Sequence, residues 1–160
     1  KVFILFTIIC SGLILFIEPI TNIEIFGYQI IGSEFSDALS IVPYICIGYL
    51  FHGAYILLLP TPYNMNSTYI IAVIRIVGAL TNVILNFLLI PLFGIIGASI
   101  ATCVCFIVMS ILLLAYNSKI HSNPYDLYPA VCSLFILFSV SILAALNPSL
   151  ILRIGIFNSF

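Results

Sequence analysis

Long apolar runs, separated by short polar or proline- and glycine-containing segments, dominate this chain. The runs approach the roughly 20 residues that a helix needs to cross a membrane, about twice the length of a membrane β-strand. Because backbone groups in lipid must be paired within helices or closed barrels, the pattern predicts an all-α integral membrane helical bundle. We treat residues 1–160 as one domain, with spans predicted at 2–17, 38–59, 68–90, 95–116 and 128–146 and a partial sixth helix at 149–160.

The first connection is the most acidic part of the chain. Residues 20–37 contain Glu24, Glu34 and Asp37, and Glu18 lies just before them. We expect an interfacial loop or a short surface helix there. Its carboxylates are solvated loop charges in the simplest reading, and an acid/base pair or a cation site in the alternative.

The other connections are predicted to be short. Residues 60–67 indicate a plain turn, and residues 117–124 a polar loop. A very tight turn is predicted at Pro91–Gly94, because proline has no backbone donor and glycine can adopt a positive φ. The spans on either side of Pro91–Gly94 should therefore form a helical hairpin.

Small residues recur at helical spacing after the Pro91–Gly94 turn. Four-residue steps place them on two adjacent faces of the helix. Small side chains let helix backbones approach closely in lipid, where packing and hydrogen bonds drive association. We predict a close-packed helix whose two faces carry Gly94, Ala98 and Thr102, and Gly97, Ala101 and Cys105.

Composition supports the membrane assignment. The chain is 64% hydrophobic and 6% charged, with a mean hydropathy of +1.35, whereas soluble domains carry about 25% charged residues. A net charge of −1 excludes the basic patch of a nucleic-acid partner. All cysteines fall inside apolar runs without metal-ligand spacing, so we expect small buried side chains at Cys10, Cys46, Cys103, Cys105 and Cys132.

A polar face is predicted on the second span. Tyr44, Gly48, His52 and Tyr55 follow one another at steps of four, four and three residues. This face is too polar for lipid and should look into the bundle or a water-filled cavity. His52 is either a hydrogen-bonded interior histidine or a group that shuttles a proton or contacts a ligand.

A polar stripe is predicted on the third span. Arg75, Asn82 and Asn86 project within about 40° of one another. A lipid-facing arginine costs about 2.5–3.5 kcal/mol, so the stripe should face inward. Two interpretations remain open: either Arg75 snorkels to the interface while the asparagines bond across helices, or the stripe lines a ligand cavity.

The basic residues indicate an orientation. Lys1, Arg75, Lys119 and His121 fall on one side of the membrane if the spans alternate. By the positive-inside rule this side is cytoplasmic, and the acidic connection and the Pro91–Gly94 turn lie outside.

The segment from Asn82 to Thr102 resembles the signature hairpin of polysaccharide export proteins, the Wzx-type flippases of the multidrug/oligosaccharidyl-lipid/polysaccharide (MOP) superfamily. Their pattern is an Asn-rich helix end, LIP-x-FG and I-x-GAA-x-AT, and this chain departs from it at Ser99. Residues 31–35, IGSEF, are similar to a family loop further upstream. The resemblance covers roughly residues 25–118.

The resemblance implies a two-lobe MATE/MOP-type transporter in a bacterial or archaeal cytoplasmic membrane, with this chain as most of the C-terminal lobe. It would move an undecaprenyl-pyrophosphate-linked oligosaccharide between leaflets by alternating access. No catalytic residue, metal or cofactor is implied, and the coupling ion is unknown. We expect the lipid bilayer, the lipid-linked oligosaccharide and an N-terminal lobe as partners, and ligand-cavity candidates at Arg75, Asn82, Asn86, His52 and Tyr44.

Three alternatives remain. A cation-coupled drug exporter of the same superfamily would need an interior carboxylate, and no acidic residue lies at the middle of a span. A membrane transferase acting on a polyprenyl phosphate would need clustered metal or phosphate ligands, and the cytoplasmic side offers Lys119, His121 and Asp126 without metal-like spacing. A non-transporting assembly subunit is the third.

Overall fold

The computed structural model describes residues 2–21, 24–25, 28–29, 40–120 and 128–146, with side chains over 4–15, 40–120 and 132–143. The predictions for residues 31–35, for His121 and for a helix at 149–160 lie outside this part. The described elements are, in order, α1 (Val2–Thr21), β1 (Glu24–Ile25), β2 (Tyr28–Gln29), α2 (Val42–Leu58), α3 (Pro60–Asn64), α4 (Thr68–Phe93), α5 (Ile95–Ile120) and α6 (Tyr128–Leu146).

Three of these segments are long and apolar enough to cross a membrane. They are α2 with α3 (Val42–Asn64, 23 residues), α4 and α5 (26 residues each). Shorter apolar stretches lie in α1 and α6, at Ile4–Leu15 and Cys132–Leu143. The predicted all-α integral membrane bundle is confirmed; that α1 and α6 also cross the membrane stays a prediction.

Helix α5 lies at the centre of the packing, between α4 on one side and α2 on the other. Helices α1 and α6 pack on each other and on the far side of α2. Two clusters of buried side chains result. The first joins α2, α4 and α5 through Tyr55, Leu58, Ile74, Cys105, Met109 and Leu113, and the second joins α1, α2 and α6 through Cys10, Ile14, Cys46, Leu50 and Leu137.

The predicted plain turn at 60–67 was wrong over its first half, because Pro60–Asn64 forms the short helix α3. Pro60 and Pro62 are the first and third residues of this helix. A missing backbone donor costs little there, because the first N–H groups of a helix have no partner within it. The chain then reverses through Met65, Asn66 and Ser67, and Asn66 has a positive φ of 52°.

The Pro91–Gly94 turn is tighter than predicted. Pro91 lies inside the last turn of α4, which continues to Phe93, so its assignment as a turn residue was wrong. Gly94 alone connects α4 to α5, with φ at 57° and its N–H donating to the Ile90 carbonyl at 2.8 Å. One glycine in a left-handed conformation is sufficient to reverse the chain. We call α4, Gly94 and α5 the α4–α5 hairpin.

The acidic connection contains a small antiparallel ladder. Glu24 pairs with Gln29 and Ile25 pairs with Tyr28. The alternative of a surface helix is therefore wrong over these residues, since the backbone there is extended. Helix α1 also runs to Thr21, past the predicted end at residue 17.

Two side chains of α5 reach backbone carbonyls of α2, and the sequence analysis did not foresee either. Ser110 Oγ donates to the Phe51 carbonyl at 2.5 Å. Asn117 Nδ2 donates to the Leu58 carbonyl at 2.9 Å, and the Asn117 side chain is fully buried. In a continuing helix the Leu58 carbonyl would accept the N–H of Pro62, which proline lacks. Asn117 replaces that missing donor.

Candidate functional site

One face of α5 lies directly against α4. Gly97, Ala101 and Cys105 are buried on this face, and Ala101 is 0% exposed. A Cβ at Gly97 would lie 2.6 Å from the Leu89 carbonyl carbon and 3.0 Å from the Ile90 nitrogen. Further along, Gly78 of α4 packs against the Met109 side chain. The two helices of the α4–α5 hairpin therefore touch through glycines contributed by each.

The second small-residue face is more open. Gly94 is exposed, with nothing within 4 Å of the position of a Cβ. Ala98 and Thr102 are half-buried and line a cavity between α2 and α5. This face is thus partly a packing surface and partly the wall of a cavity.

A chain of hydrogen bonds joins the two asparagines of the predicted stripe to α5. Asn86 Nδ2 donates to Asn82 Oδ1 at 2.9 Å, and Asn82 Nδ2 donates to Thr102 Oγ1 at 3.4 Å. The Thr102 hydroxyl donates in turn to the Ala98 carbonyl at 3.0 Å. Asn86 Oδ1 is buried and accepts no hydrogen bond within the described residues. Asn82 therefore bonds across helices, Asn86 bonds to Asn82 within α4, and the Asn86 Oδ1 acceptor is left over.

Arg75 lies at the other end of the stripe, on the same side of α4. Its side chain is exposed, and its Nε donates to the Tyr55 hydroxyl of α2 at 3.4 Å. Tyr55 is 1% exposed, so the guanidinium is held at one edge by a fixed group. The guanidinium has two further, terminal nitrogens, and its planar geometry suits a phosphate or carboxylate.

His52 belongs to an aromatic cluster beside Tyr55. The His52 ring stacks on Tyr55 at 6.1 Å between centroids and lies 4.5 Å from the Phe106 ring of α5. Tyr49 contacts both His52 and Phe106, at 6.1 and 5.6 Å. Tyr49 and Phe106 were not among the predicted site residues, although Tyr49 precedes His52 by one helical turn.

Tyr44 does not join this group. It lies in the first turn of α2 and is 40% exposed. The structure thus brings together four of the predicted cavity residues in two sets, Arg75 with His52 through Tyr55, and Asn82 with Asn86. It leaves Tyr44 apart from both.

A cavity of about 300 Å³ separates the first halves of α2 and α5. We call it the α2–α5 groove. Its apolar end is formed by isoleucines near the start of each helix, and its other end by the Tyr49 and Phe106 rings. The lining residues are Ile41, Ile45, Gly48, Tyr49, Ile95, Ala98, Ser99, Thr102, Cys103 and Phe106.

The arrangement offers binding chemistry. Arg75 and Lys119 carry the two charged side chains that the structure describes, and both lie toward the end of the α4–α5 hairpin away from Gly94. Within the described residues, no three histidine, cysteine or acidic side chains are grouped as a metal site would require. A cation next to the buried Tyr55 ring, with amides further along the helix, can hold an anionic group beside an apolar one.

Comparison with known proteins gives one similarity of note. No family model matches the chain, and no solved structure matches it. The chain is similar to the probable low-salt glycan biosynthesis flippase Agl15 of Haloferax volcanii, with 28% identity over 160 aligned residues. The match covers 93% of this chain and 34% of the relative, so the chain spans about one third of the relative's length. The similarity supports a multi-pass membrane protein and, coarsely, a flippase; the Wzx type and the superfamily stay predictions.

Proposed function

We propose that this chain is part of a flippase that moves a lipid-linked oligosaccharide, carried on a polyprenyl pyrophosphate such as undecaprenyl pyrophosphate, across the cytoplasmic membrane. The observation that carries the proposal is the similarity of nearly the whole chain to a protein named as a probable glycan biosynthesis flippase. Reorientation of such a lipid breaks no covalent bond, so the chain needs binding groups and movable helices rather than a catalytic centre.

The structure supplies a group suited to the charged part of such a lipid. Arg75 is exposed on α4, and its Nε is tied to the buried Tyr55 hydroxyl. Bidentate pairing of the two free guanidinium nitrogens with phosphate oxygens is among the stronger charge-assisted contacts. Arg75 would recognise the pyrophosphate, and Tyr55 would position the guanidinium.

Transport belongs to the longer protein. This chain spans about one third of its curated relative, and alternating access requires two bodies that move against one another around a site. We propose that the described helices form one such body, a MOP-type C-terminal lobe, and that Arg75, Asn82 and Asn86 face a cavity shared with the other lobe.

The test is a flipping assay with the full-length protein in liposomes. Arg75→Gln should slow the translocation of a lipid-linked oligosaccharide about tenfold, as expected for loss of about 1.4 kcal/mol of anion stabilisation. Lys119→Gln is the matched control. It removes one positive charge from the same end of the α4–α5 hairpin, where Lys119 is exposed, and should leave the rate within about twofold because an exposed surface charge contributes little.

If Arg75→Gln translocated the lipid-linked oligosaccharide at the wild-type rate, at equal protein level in the liposomes, Arg75 would not be part of the binding site. Failure of the wild-type full-length protein to move any lipid-linked oligosaccharide, in several lipid and ion-gradient conditions, would contradict the flippase proposal itself.

The orientation of the α4–α5 hairpin in the membrane is tested by a separate labelling experiment. With the native cysteines replaced, Lys119→Cys should react with a membrane-impermeant maleimide from the cytoplasmic side, since Lys119 is exposed at the last turn of α5. Phe93→Cys, 56% exposed at the opposite end of the α4–α5 hairpin, is the matched position and should react from the outside. Reversed labelling of the pair would invert the predicted topology.

A further inference from the structure

We propose that His52 is the second positive group of the anion site at Arg75, and that it takes up a proton when an anion with two negative charges binds there. The inference rests on the proposed function, because it uses the same Arg75 site. It adds a second charged residue to that site and specifies the charge of the anion.

Arg75 has no acidic partner in the described part of the chain. Residues 4–15, 40–120 and 132–143, whose side chains the structure describes, contain no aspartate or glutamate. The Arg75 guanidinium bonds instead to a neutral group, the Tyr55 hydroxyl, at 3.4 Å. A charged side chain in a membrane helix is costly and is usually paired. The arrangement therefore favours a bound anion as the partner of Arg75.

Tyr55 places His52 beside this cation. The His52 ring stacks on the Tyr55 ring, with 6.1 Å between centroids, and the same tyrosine accepts the bond from Arg75. The two side chains are close enough for the Arg75 charge to act on His52. Within the described residues the half-buried His52 ring makes aromatic contacts and no hydrogen bond. Its nitrogens can therefore take a proton and bind an anion.

The surroundings of His52 allow it to change charge. Phe106 of α5 lies 4.5 Å away between ring centroids, within the distance at which an aromatic face attracts a cation. Helices α1 and α6 pack on the far side of α2, against Cys46 and Leu50. The titratable or charged groups on the near side are Arg75 from α4, Tyr49 and Tyr55 from α2, and Cys103 from α5. Of these side-chain types, arginine is the one that is charged at neutral pH.

This arrangement couples proton uptake to anion binding. Without an anion, the positive form of His52 is repelled by the Arg75 guanidinium. An anion with two negative charges offsets Arg75 and attracts a second cation, so the positive form of His52 is favoured in the complex. By reciprocity, a lower pH must strengthen the binding of the anion. An anion with one negative charge is already neutralised by Arg75 and gains less.

The experiment is titration calorimetry of the full-length protein in detergent, at three pH values from about 5.5 to 8, the range in which histidine titrates. One probe is dimethyl pyrophosphate with one methyl group on each phosphorus, which carries two negative charges, and the other is dimethyl phosphate, which carries one. The charge of both probes is constant over this range. Repeating each titration in two buffers of different ionisation enthalpy gives the number of protons taken up. The variants are His52→Gln and, as the matched control, His121→Gln at the other histidine of this chain.

We expect the wild type to bind the pyrophosphate diester at least about tenfold more tightly at the lowest pH than at the highest. Binding at the intermediate pH should be accompanied by net proton uptake. The affinity for dimethyl phosphate should change less than about threefold, because Arg75 alone offsets its charge. His52→Gln should bind the diester with one affinity at all pH values and without proton uptake, and His121→Gln should behave like the wild type.

If the wild type bound the diester with the same affinity at all pH values and took up no proton, the role of His52 would be overturned, and this result requires no variant. Proton uptake that persisted in His52→Gln would assign the proton to another group. An equal pH dependence for dimethyl phosphate would overturn the specificity for two charges. Wild-type protein that bound neither anion at any pH would contradict the Arg75 site of the proposed function, a result distinct from loss of the pH dependence alone.

Discussion

Gly97→Leu is expected to destabilise the protein by about 3 kcal/mol or more, through overpacking between two helices that cannot separate locally. Any side chain at Gly97 meets backbone rather than a flexible neighbour, since its Cβ would lie 2.6 Å from the Leu89 carbonyl carbon. Gly94 is the sole connection between α4 and α5, so the adjacent turns have no slack to absorb a shift. Reversible unfolding of the purified protein in mixed micelles measures the change.

Glycine-to-alanine substitutions provide a matched pair for the same experiment. Gly97→Ala adds one methyl group at the contact, and Gly53→Ala adds one in α2 where nothing lies within 4 Å of a Cβ. Gly53→Ala should be neutral or stabilising by up to about 1 kcal/mol, from helix propensity. If Gly97→Ala matched Gly53→Ala, the close approach of α4 and α5 would be refuted.

Asn117→Leu is expected to lower the free energy of unfolding by about 1–3 kcal/mol, the cost of a buried polar group left without its partner. The substitution removes the donor to the Leu58 carbonyl, which has no helical alternative because residue 62 is proline. Ser118→Ala is the control, because the exposed Ser118 hydroxyl bonds to the Leu114 carbonyl of its own helix. Chemical denaturation of wild type and both variants gives the comparison.

A second substitution, Pro62→Ala, tests why the loss of the Asn117 side chain lowers the free energy of unfolding. Tyr63 N–H donates to the Leu59 carbonyl, so the helical pattern of hydrogen bonds crosses from α2 into α3. Pro62→Ala would place an N–H opposite the Leu58 carbonyl, and it should make Asn117→Leu less costly in a double-mutant cycle. Strictly additive effects would show that Asn117 stabilises the protein by packing and not by replacing the missing donor.

The positions of the helices could be predicted from the apolar runs, because in lipid an apolar stretch has no other way to pair its backbone. The residues at which the helices end could not be predicted in the same way. Pro91 resembles a turn residue, but α4 continues through it for two more residues, since a proline in the last turn sacrifices one hydrogen bond while Gly94 alone supplies the reversal. Pro60 and Pro62 similarly begin a short helix where a turn was expected.

The part of the candidate site that lies on a single helix could be predicted from the sequence. The spacing of Arg75, Asn82 and Asn86 predicted their common face, and Asn86 does bond to Asn82. Contacts between helices were not accessible, because they depend on the rotation of each helix about its axis. Ser110 and Asn117 each reach a residue 59 positions away. The sequence signals only one of the two acceptors, the Leu58 carbonyl, through the proline at 62. Tyr44 shows that correct spacing is not sufficient. It fits the predicted polar face of α2, but its position in the first turn leaves it exposed.

The apex of the α4–α5 hairpin has a consequence for how the protein sits in the bilayer. From Phe87 to Ala98 every residue is apolar, proline or glycine, so this end has no charged or amide side chain to anchor it among the lipid headgroups. Each helix of 26 residues is about 39 Å long, more than the roughly 30 Å of hydrocarbon. No side chain at the apex therefore fixes its depth among the headgroups, and only the unpaired backbone carbonyls and N–H groups where α4 ends and α5 begins hold that end near water.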